Sequence, residues 1–323
     1  MQNKLRVAIL FGGKSAEHEV SVRSAKNVAA AMDPKKYDVS MIRIDRKGQW
    51  LPPRNWHTKV DVVFPVLHGP FGEDGTMQGL LRLADVPFVG AGVLGSAVGM
   101  DKDVMKRLLR DAGIPIGKFI TLREGDKLSY KDAKKKLGST LFIKPANMGS
   151  SVGVSKVKTE AEFKKAISEA FQFDTKILIE QFIKGREIEC SVLGNEKPIA
   201  SVPGEIVVHA DFYSYDAKYI DENGASLQIP AKLSAKTTKL VQELSIKTFR
   251  ALECEGMGRV DSFVTPDGRV FVNEINTIPG FTSVSMYPKL WEASGISHSQ
   301  LIDTLIALAI ERFEKQKKLK TAR

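Results

Sequence analysis

The sequence predicts an α/β chain that continues as α+β: a parallel-sheet domain over residues 1–100, a compact α+β unit over 101–184 and a second over 185–323. Three observations predict it. Val7 to Phe11 is a continuous apolar run of strand length ending at Gly12-Gly13, the pattern of a strand covered on both faces. Strand-like and helix-like pieces alternate through the first hundred residues, which is the order of a parallel sheet with helices packed on it. Beyond Asp101, short strands cluster around single helices, and the length of 323 residues suits two or three domains.

In order, Ser15 to Met32 reads as a helix opening with Ser15, Glu17 and Glu19, followed by strands at Tyr37 to Ile44 and Val62 to Leu67. A helix from Thr76 to Ala84 leads to a strand at Pro87 to Val89. Ligands sit beyond the carboxyl ends of such strands, here Gly12-Gly13-Lys14-Ser15-Ala16-Glu17 and His68-Gly-Pro-Phe-Gly-Glu73-Asp74-Gly75. The middle unit carries a helix from Asp101 to Ala112, strands at Lys118 to Thr121, Leu141 to Lys144, Val152 to Val157 and Lys176 to Glu180, and a helix from Glu160 to Phe171. The last unit has strands at Glu187 to Leu193, Pro198 to Pro203, Arg259 to Val264 and Val270 to Asn276, with helices from Ser234 to Leu252 and Ser299 to Phe313. Residues 208–230 form a polar, irregular stretch of a length often found in lids.

Composition excludes several classes. No stretch of 18 or more apolar residues occurs, so no membrane span is expected, and no basic, apolar and small-residue sequence opens the chain as an export signal would. Cys190 and Cys254 lack paired spacing and read as reduced thiols of a cytoplasmic protein. The net charge of +10 lacks the aromatic interleaving or motif of a nucleic-acid binder. The basic residues from Arg312 to Arg323 read as the solvated C-terminal end of a helix, where positive charge meets the helix dipole.

The chemistry concentrates between Arg259 and Gly280. Asp261, Glu274 and Asn276 are hard oxygen ligands at strand ends, and Glu274 and Asn276, two apart, share a strand face. Such a set suits Mg²⁺ bridging to nucleotide phosphates, although a solvated acidic hairpin would look similar. Gly13-Lys14-Ser15 imitates the tail of a phosphate loop, but Ile9 to Phe11 would then have to leave a buried strand. Gly90-Ala-Gly92-Val-Leu-Gly95 lacks the acidic residue expected about 20 positions on and reads as a tight turn into the next helix. The stronger phosphate candidate is Lys144 to Gly153, a lysine at a strand end followed by small residues whose amides can approach an anion; a plain hairpin is its alternative.

In sequence order these segments resemble the ATP-grasp carboxylate–amine ligases, and within them the D-alanine–D-alanine ligases, over nearly the whole chain. The resemblance rests on Gly12-Gly-Lys-Ser-Ala-Glu17-His-Glu-Val-Ser21, His68 to Gly75, Met100-Asp-Lys102, Lys144 to Gly153, Glu180 to Ile183, Tyr215-Asp-Ala-Lys218-Tyr219, Gly258 to Asp261 and Asn273 to Gly280. One departure is Arg82, where these ligases often carry an acidic residue. The resemblance implies a Rossmann-like N-terminal domain before a two-lobed ATP-grasp fold, with ATP as co-substrate between the lobes. It implies phosphorylation of one D-alanine carboxylate and attack on the acyl phosphate by the amine of a second D-alanine.

By resemblance, Lys102 and Lys144 neutralise the ATP phosphates, Glu180, Phe182 and Ile183 line the adenine, and Glu187 meets the ribose. Asp261, Glu274 and Asn276 are the matching ligands of Mg²⁺, two ions in the family's pattern, with Mn²⁺ an alternative. Glu17 holds the ammonium of the first D-alanine, with Ser150 and Tyr219 hydrogen-bonded to it, and His68 lies near the transferring phosphate. Arg259 and the Gly280 amide stabilise the oxyanion, and Lys218 and Ser285 hold the second carboxylate. The resemblance further implies a cytoplasmic homodimer making a peptidoglycan precursor. Two rivals stand beside it: a ligase joining D-alanine to D-serine or D-lactate, for which the loop around Lys218 and Tyr219 discriminates, and a nucleotide-binding regulator without turnover.

Overall fold

The apolar run at the N-terminus forms strand β1 (Leu5–Gly12), and the alternation of its side chains decides what packs on each face. In the computed structural model, which describes residues 4–50, 55–208 and 225–320, β1 lies between two parallel neighbours, β2 (Tyr37–Ile44) and β3 (Val62–Pro65). Val7 and Ile9 pack with Ala25 and Val28 of helix α1 (His18–Ala31), while Ala8 and Leu10 pack on the other side with Met77 and Leu81 of helix α2 (Thr76–Leu83). The expected strand at Pro87 to Val89 is only a bridge between Val63 and Phe88, because Pro87 has no N–H and the chain turns at Gly90, with φ of 97°.

Gly92 then caps helix α3 (Val93–Met100), and Asp101 caps helix α4 (Lys102–Asp111) by accepting from the amides of Asp103 and Val104. Strands β4 (Phe119–Arg123), β5 (Leu141–Pro145), β6 (Ser155–Val157) and β7 (Lys176–Gln181) form an antiparallel sheet in the order β4-β7-β5-β6. Leu141, Ile143, Ile177 and Ile179 make its apolar face, covered by helices α5 (Tyr130–Leu137) and α6 (Glu160–Ala170). The strand expected from Val152 begins only at Ser155, since Ser150 and Ser151 hold φ of 51° and 60° and Val152 N–H turns back to Gly149.

The large sheet runs β11-β10-β8-β12-β13, with β9 added at β8. Its strands are β8 (Arg186–Gly194), β9 (Ile199–Ala200), β10 (Gly204–Val208), β11 (Ala225–Gln228), β12 (Gly256–Val264) and β13 (Val270–Asn276). The single strand expected at Pro198 to Pro203 is thus split, because Ser201 turns to bond the Ser191 carbonyl at 2.9 Å. Ile188, Cys190 and Val192 of β8 lie under helix α7 (Ala235–Ala251) and α4. The alternate residues Glu187, Glu189 and Ser191 therefore share the opposite, polar face.

Helix α8 (Met286–Ala293) and helix α9 (His298–Lys317) complete the chain. Leu301, Ile302, Leu305 and Ile306 of α9 join one core with Val7, Ile9 and Phe64 of the first sheet and Met257 of the large one. The boundary near residue 100 thus separates sheets that share a core. It also corrects the reading of the basic tail. Arg312 is buried, donates to the carbonyls of Gly90 and Phe88, and stacks 4.5 Å over the Phe88 ring. An arginine facing the core from the last turns of a helix can fasten a neighbouring turn, and the spacing of charges alone does not reveal it.

Candidate active site

The register of β12 against β13 sets Arg259 opposite Asn276 and Asp261 opposite Glu274, so all four side chains occupy the polar face of the large sheet. Glu189, paired with Asp261 from β8, joins them. The register shifts after Asp261, leaving Asn273 as the extra residue of a β-bulge. The burial sequence of β13 accordingly breaks its alternation with two successive half-buried residues, Asn273 and Glu274. Arg259 grips Asp261 from Nε to Oδ1 at 2.8 Å and from Nη2 to Oδ2 at 2.7 Å, and its Nε lies 2.8 Å from Glu189. Burial opposes the guanidinium charge, but Asp261 and Glu189 outweigh it and raise the pKa well above the usual arginine value.

A hard divalent cation fits this donor set. Among the described residues no three His, Cys, Asp or Glu side chains gather in a metal-binding group, so the set needs the Asn276 amide as its third donor. Asn276 donates from Nδ2 to Asp261 at 2.9 Å, which leaves its Oδ1 as the atom to offer a cation. The Glu274 carboxylate is 27 % exposed, with Lys102 3.8 Å away. Two carboxylates, one amide oxygen and room for water are the donors that Mg²⁺ takes.

Opposite this face, the small sheet and α4 present lysines. Lys102 donates to the Met148 carbonyl at 2.7 Å, and Lys144 lies 2.9 Å from Glu180 and donates to Asn273 at 3.4 Å. Burial lowers the pKa of Lys102, with Lys144 adding to that and Glu274 opposing it. Burial would lower Lys144 too, but Glu180 and then Glu274 outweigh it, so its pKa is raised. Glu180 is buried, and its carboxylate is taken up by Lys144 and by Lys106 at 3.2 Å. Phe182 stacks near Phe142 at 6.0 Å with Lys156 5.2 Å over its ring, and Ile183 packs beside Gly117. Glu187 sits two residues before Glu189 on the same face of β8.

Glu17 holds the N-cap position of α1 but makes no capping bond; its carboxylate accepts from the Ser150 hydroxyl. Two glycines leave the room. A Cβ on Gly149 would stand 3.3 Å from Glu17 Oε2, and one on Gly69, where φ is 72°, would stand 3.2 Å from the same oxygen. His68 is buried between Ser24 and the Ile278 carbonyl, 3.0 Å from its Nδ1. A carbonyl only accepts, so Nδ1 carries the proton; burial lowers the pKa and keeps the ring neutral. The Gly280 loop is fixed to α1, with Phe281 N–H donating to Ser24 at 3.1 Å and Asn27 donating to the Phe281 carbonyl at 2.6 Å. Ser285 accepts from Thr282 N–H at 2.9 Å and caps α8, 2.7 Å from where a Cβ on Gly280 would stand. Lys218 and Tyr219 lie outside the described residues.

Four residues of the site were missed from sequence. Glu73 accepts from the amides of Gly69 at 2.7 Å and Ile278 at 3.2 Å, tying the loop after His68 to the loop before Gly280. Burial, with Glu17 adding to it, pushes its pKa up to about 8. Lys106 was signalled only by standing one turn after Lys102. Glu189 stood in plain alternation with Glu187, and Asn273 carried no signal because a bulge breaks the period of two.

A parallel-sheet domain leading into two antiparallel sheets, with lysines of one facing carboxylates of the other, is the architecture of an ATP-grasp ligase. The family models described as D-ala D-ala ligase C-terminus and N-terminus match residues 108–307 and residues 6–59 with 53–91. The chain is 51% identical to a D-alanine–D-alanine ligase of Oceanobacillus iheyensis, with 99% of each chain covered. Among solved structures, the D-alanine–D-alanine ligase of Coxiella burnetii has a TM-score of 0.87 at 42% identity, covering 98% of each chain. The VanG D-Ala:D-Ser ligase of Enterococcus faecalis has a TM-score of 0.87 at 37% identity, covering 95% of this chain and all of that one. The ligase of Bacillus anthracis complexed with ATP has 0.83 at 31%, covering 97% and 99%. The chain belongs to the D-alanine–D-alanine ligase family.

Proposed function

We propose that this protein joins two D-alanine molecules at the expense of ATP, releasing ADP and phosphate and supplying a peptidoglycan precursor in the cytoplasm. The observation that carries this reading is the meeting of Lys102 and Lys144 with the bulged strand, at 3.8 Å to Glu274 and 3.4 Å to Asn273. Cations and hard oxygens brought together from separate elements suit a metal-bound polyphosphate.

Phe182 and Ile183 line the adenine and Glu187 meets the ribose. The side chain of Glu180 is taken up by lysines, so its contribution to the adenine site is its backbone. Lys102 and Lys144 neutralise the phosphates. Asp261, Glu274 and Asn276 would hold Mg²⁺, or Mn²⁺, and we assign two ions; the metal supplies positive charge that offsets charge on the transferred phosphoryl group. Glu17 fixes the ammonium of the first D-alanine with its carboxylate aimed at the γ-phosphorus, and the neutral His68 stands beside that path without adding charge.

A carboxylate oxygen attacks phosphorus, the bond to ADP breaks, and D-alanyl phosphate forms. The second D-alanine, held at its carboxylate by Lys218 and Ser285, attacks the acyl carbon with its free amine. Arg259 and the Gly280 N–H stabilise the oxyanion; the C–O bond to phosphate then breaks and the new amide nitrogen gives up its proton. Ser150 and Tyr219 latch onto Glu17 and keep water from the acyl phosphate. Since the acceptor is the substrate's own carboxylate, no protein nucleophile is needed. We assign a homodimer, tested by sedimentation of the purified protein.

Incubation with Mg²⁺-ATP and D-alanine, alone or with D-serine, D-lactate or L-alanine, and mass analysis of the products tests the reading. D-alanyl-D-alanine as the dominant product supports it. A mixed product with D-serine would favour the second reading, which the likeness to the D-Ala:D-Ser ligase keeps in view. ATP binding without any ligation product would favour the regulator.

A further inference from the structure

We propose that Lys106 is a positioning residue for nucleotide binding: it shares the Glu180 carboxylate with Lys144 and so allows the Lys144 ammonium to turn to the nucleotide phosphates. The inference rests on the reading of Lys144 as a phosphate ligand given above. Three elements build the unit, with Lys106 from α4, Lys144 from β5 and Glu180 from β7. The carboxylate is divided between the lysines, Oε1 lying 3.2 Å from Lys106 and Oε2 2.9 Å from Lys144.

Lys102 and Lys106 stand one turn apart on α4, yet they do different work. Lys102 reaches Met148 and Glu274 at the cleft, whereas Lys106 is 1 % exposed and cannot touch a ligand. Its ammonium serves Glu180 alone among the ion pairs of the described residues. Burial pushes the pKa of Lys106 down, and Glu180 opposes that. Burial would also raise Glu180, but Lys106 and then Lys144 outweigh it and hold the carboxylate below its usual range.

The consequence concerns what happens when phosphate arrives. If Lys144 were the sole partner of Glu180, turning it to a phosphate would leave a buried carboxylate uncompensated, a loss that opposes binding. With Lys106 in place, Glu180 keeps a cation while Lys144 moves. Lys106 therefore acts on ATP affinity through Glu180, and the step after binding does not depend on it.

The test is a double-variant cycle of Lys106→Met and Glu180→Gln, read by calorimetric binding of Mg²⁺-ATP without D-alanine, by the KM for ATP against kcat, and by melting temperature. Lys106→Met is expected to weaken ATP binding and raise its KM by about tenfold, the scale of one charged hydrogen bond, with kcat changed less than about threefold. In the Glu180→Gln background the same substitution is expected to change ATP affinity less than about twofold, because no carboxylate is left to share. Should Lys106→Met fail to fold, Lys106→Gln takes its place in the cycle. Unchanged ATP affinity in a folded Lys106 variant overturns the inference, as does an equal loss in both backgrounds. Failure of the wild type to bind Mg²⁺-ATP overturns the reading of the cleft, and this inference with it.

Discussion

Arg259 and Asp261, two residues apart on β12, are joined by a fork of two hydrogen bonds at 2.8 and 2.7 Å. The proposed oxyanion donor and a proposed metal ligand are thus a single electrostatic unit, steadied from the far side by Glu189. Arg259→Lys keeps the charge and loses the fork, so kcat is expected to fall about a hundredfold while the melting temperature changes little. Arg259→Met also leaves two carboxylates without a cation and is expected to lower the melting temperature. Near-normal kcat in Arg259→Lys would remove the fork from the chemistry.

Glu274→Gln preserves the side-chain shape at the end of β13 and removes its charge. Turnover is expected to fall by on the order of a hundredfold or more, with a raised Mg²⁺ requirement and an unchanged circular dichroism spectrum. Steady-state rates across a Mg²⁺ titration check this. An ordinary rate at ordinary Mg²⁺ would exclude Glu274 from the metal site.

Glu73 makes stability depend on pH. Its folded pKa of about 8 lies above the ordinary value of 4.5, so the folded chain holds a proton that the unfolded chain has released. That contribution is full below about pH 4.5 and is lost as pH rises through about 8. Thermal unfolding from pH 5 to 9 is expected to show wild-type stability falling more steeply than that of Glu73→Gln, whatever the offset between them. Parallel slopes would place the titration elsewhere.

Arg312→Met is expected to destabilise the fold by about 3 kcal/mol, since it strips donors from the Gly90 and Phe88 carbonyls and leaves Glu255, 3.5 Å away, without its arginine. Lys317→Met, at an exposed position on the same helix, is expected to change stability by less than about 0.5 kcal/mol. Denaturant unfolding of both variants gives the comparison. Equal, small effects would return Arg312 to the solvated end of the helix.

The parts of the fold legible in the sequence are those where one period dominates. The unbroken run in β1 announced a strand covered on both sides, and the spacing of Glu274 and Asn276 announced a shared face. Helix α5 was missed because only Ala133 and Leu137 face the core, too few to make a stripe, although Ser129 capping it through the Asp132 amide was there to be read. Helix α8 was hidden by Pro288, which a first turn tolerates because its N–H would be unpaired there anyway. At the site, motifs marked the residues at strand ends. Glu73 and Lys106 were silent, because a buried charge is defined by partners far away in sequence: Ile278 for one and Glu180 for the other.

The most direct measurement follows oxygen. D-Alanine labelled with ¹⁸O in both carboxylate oxygens, incubated with Mg²⁺-ATP and the enzyme, passes one labelled oxygen to phosphorus if its carboxylate attacks ATP. Breakage of the acyl C–O bond then releases inorganic phosphate carrying one ¹⁸O for each dipeptide formed, as mass spectrometry of the phosphate would record. Dipeptide formed with unlabelled phosphate would contradict an acyl phosphate, and with it the tasks given to Arg259 and Gly280.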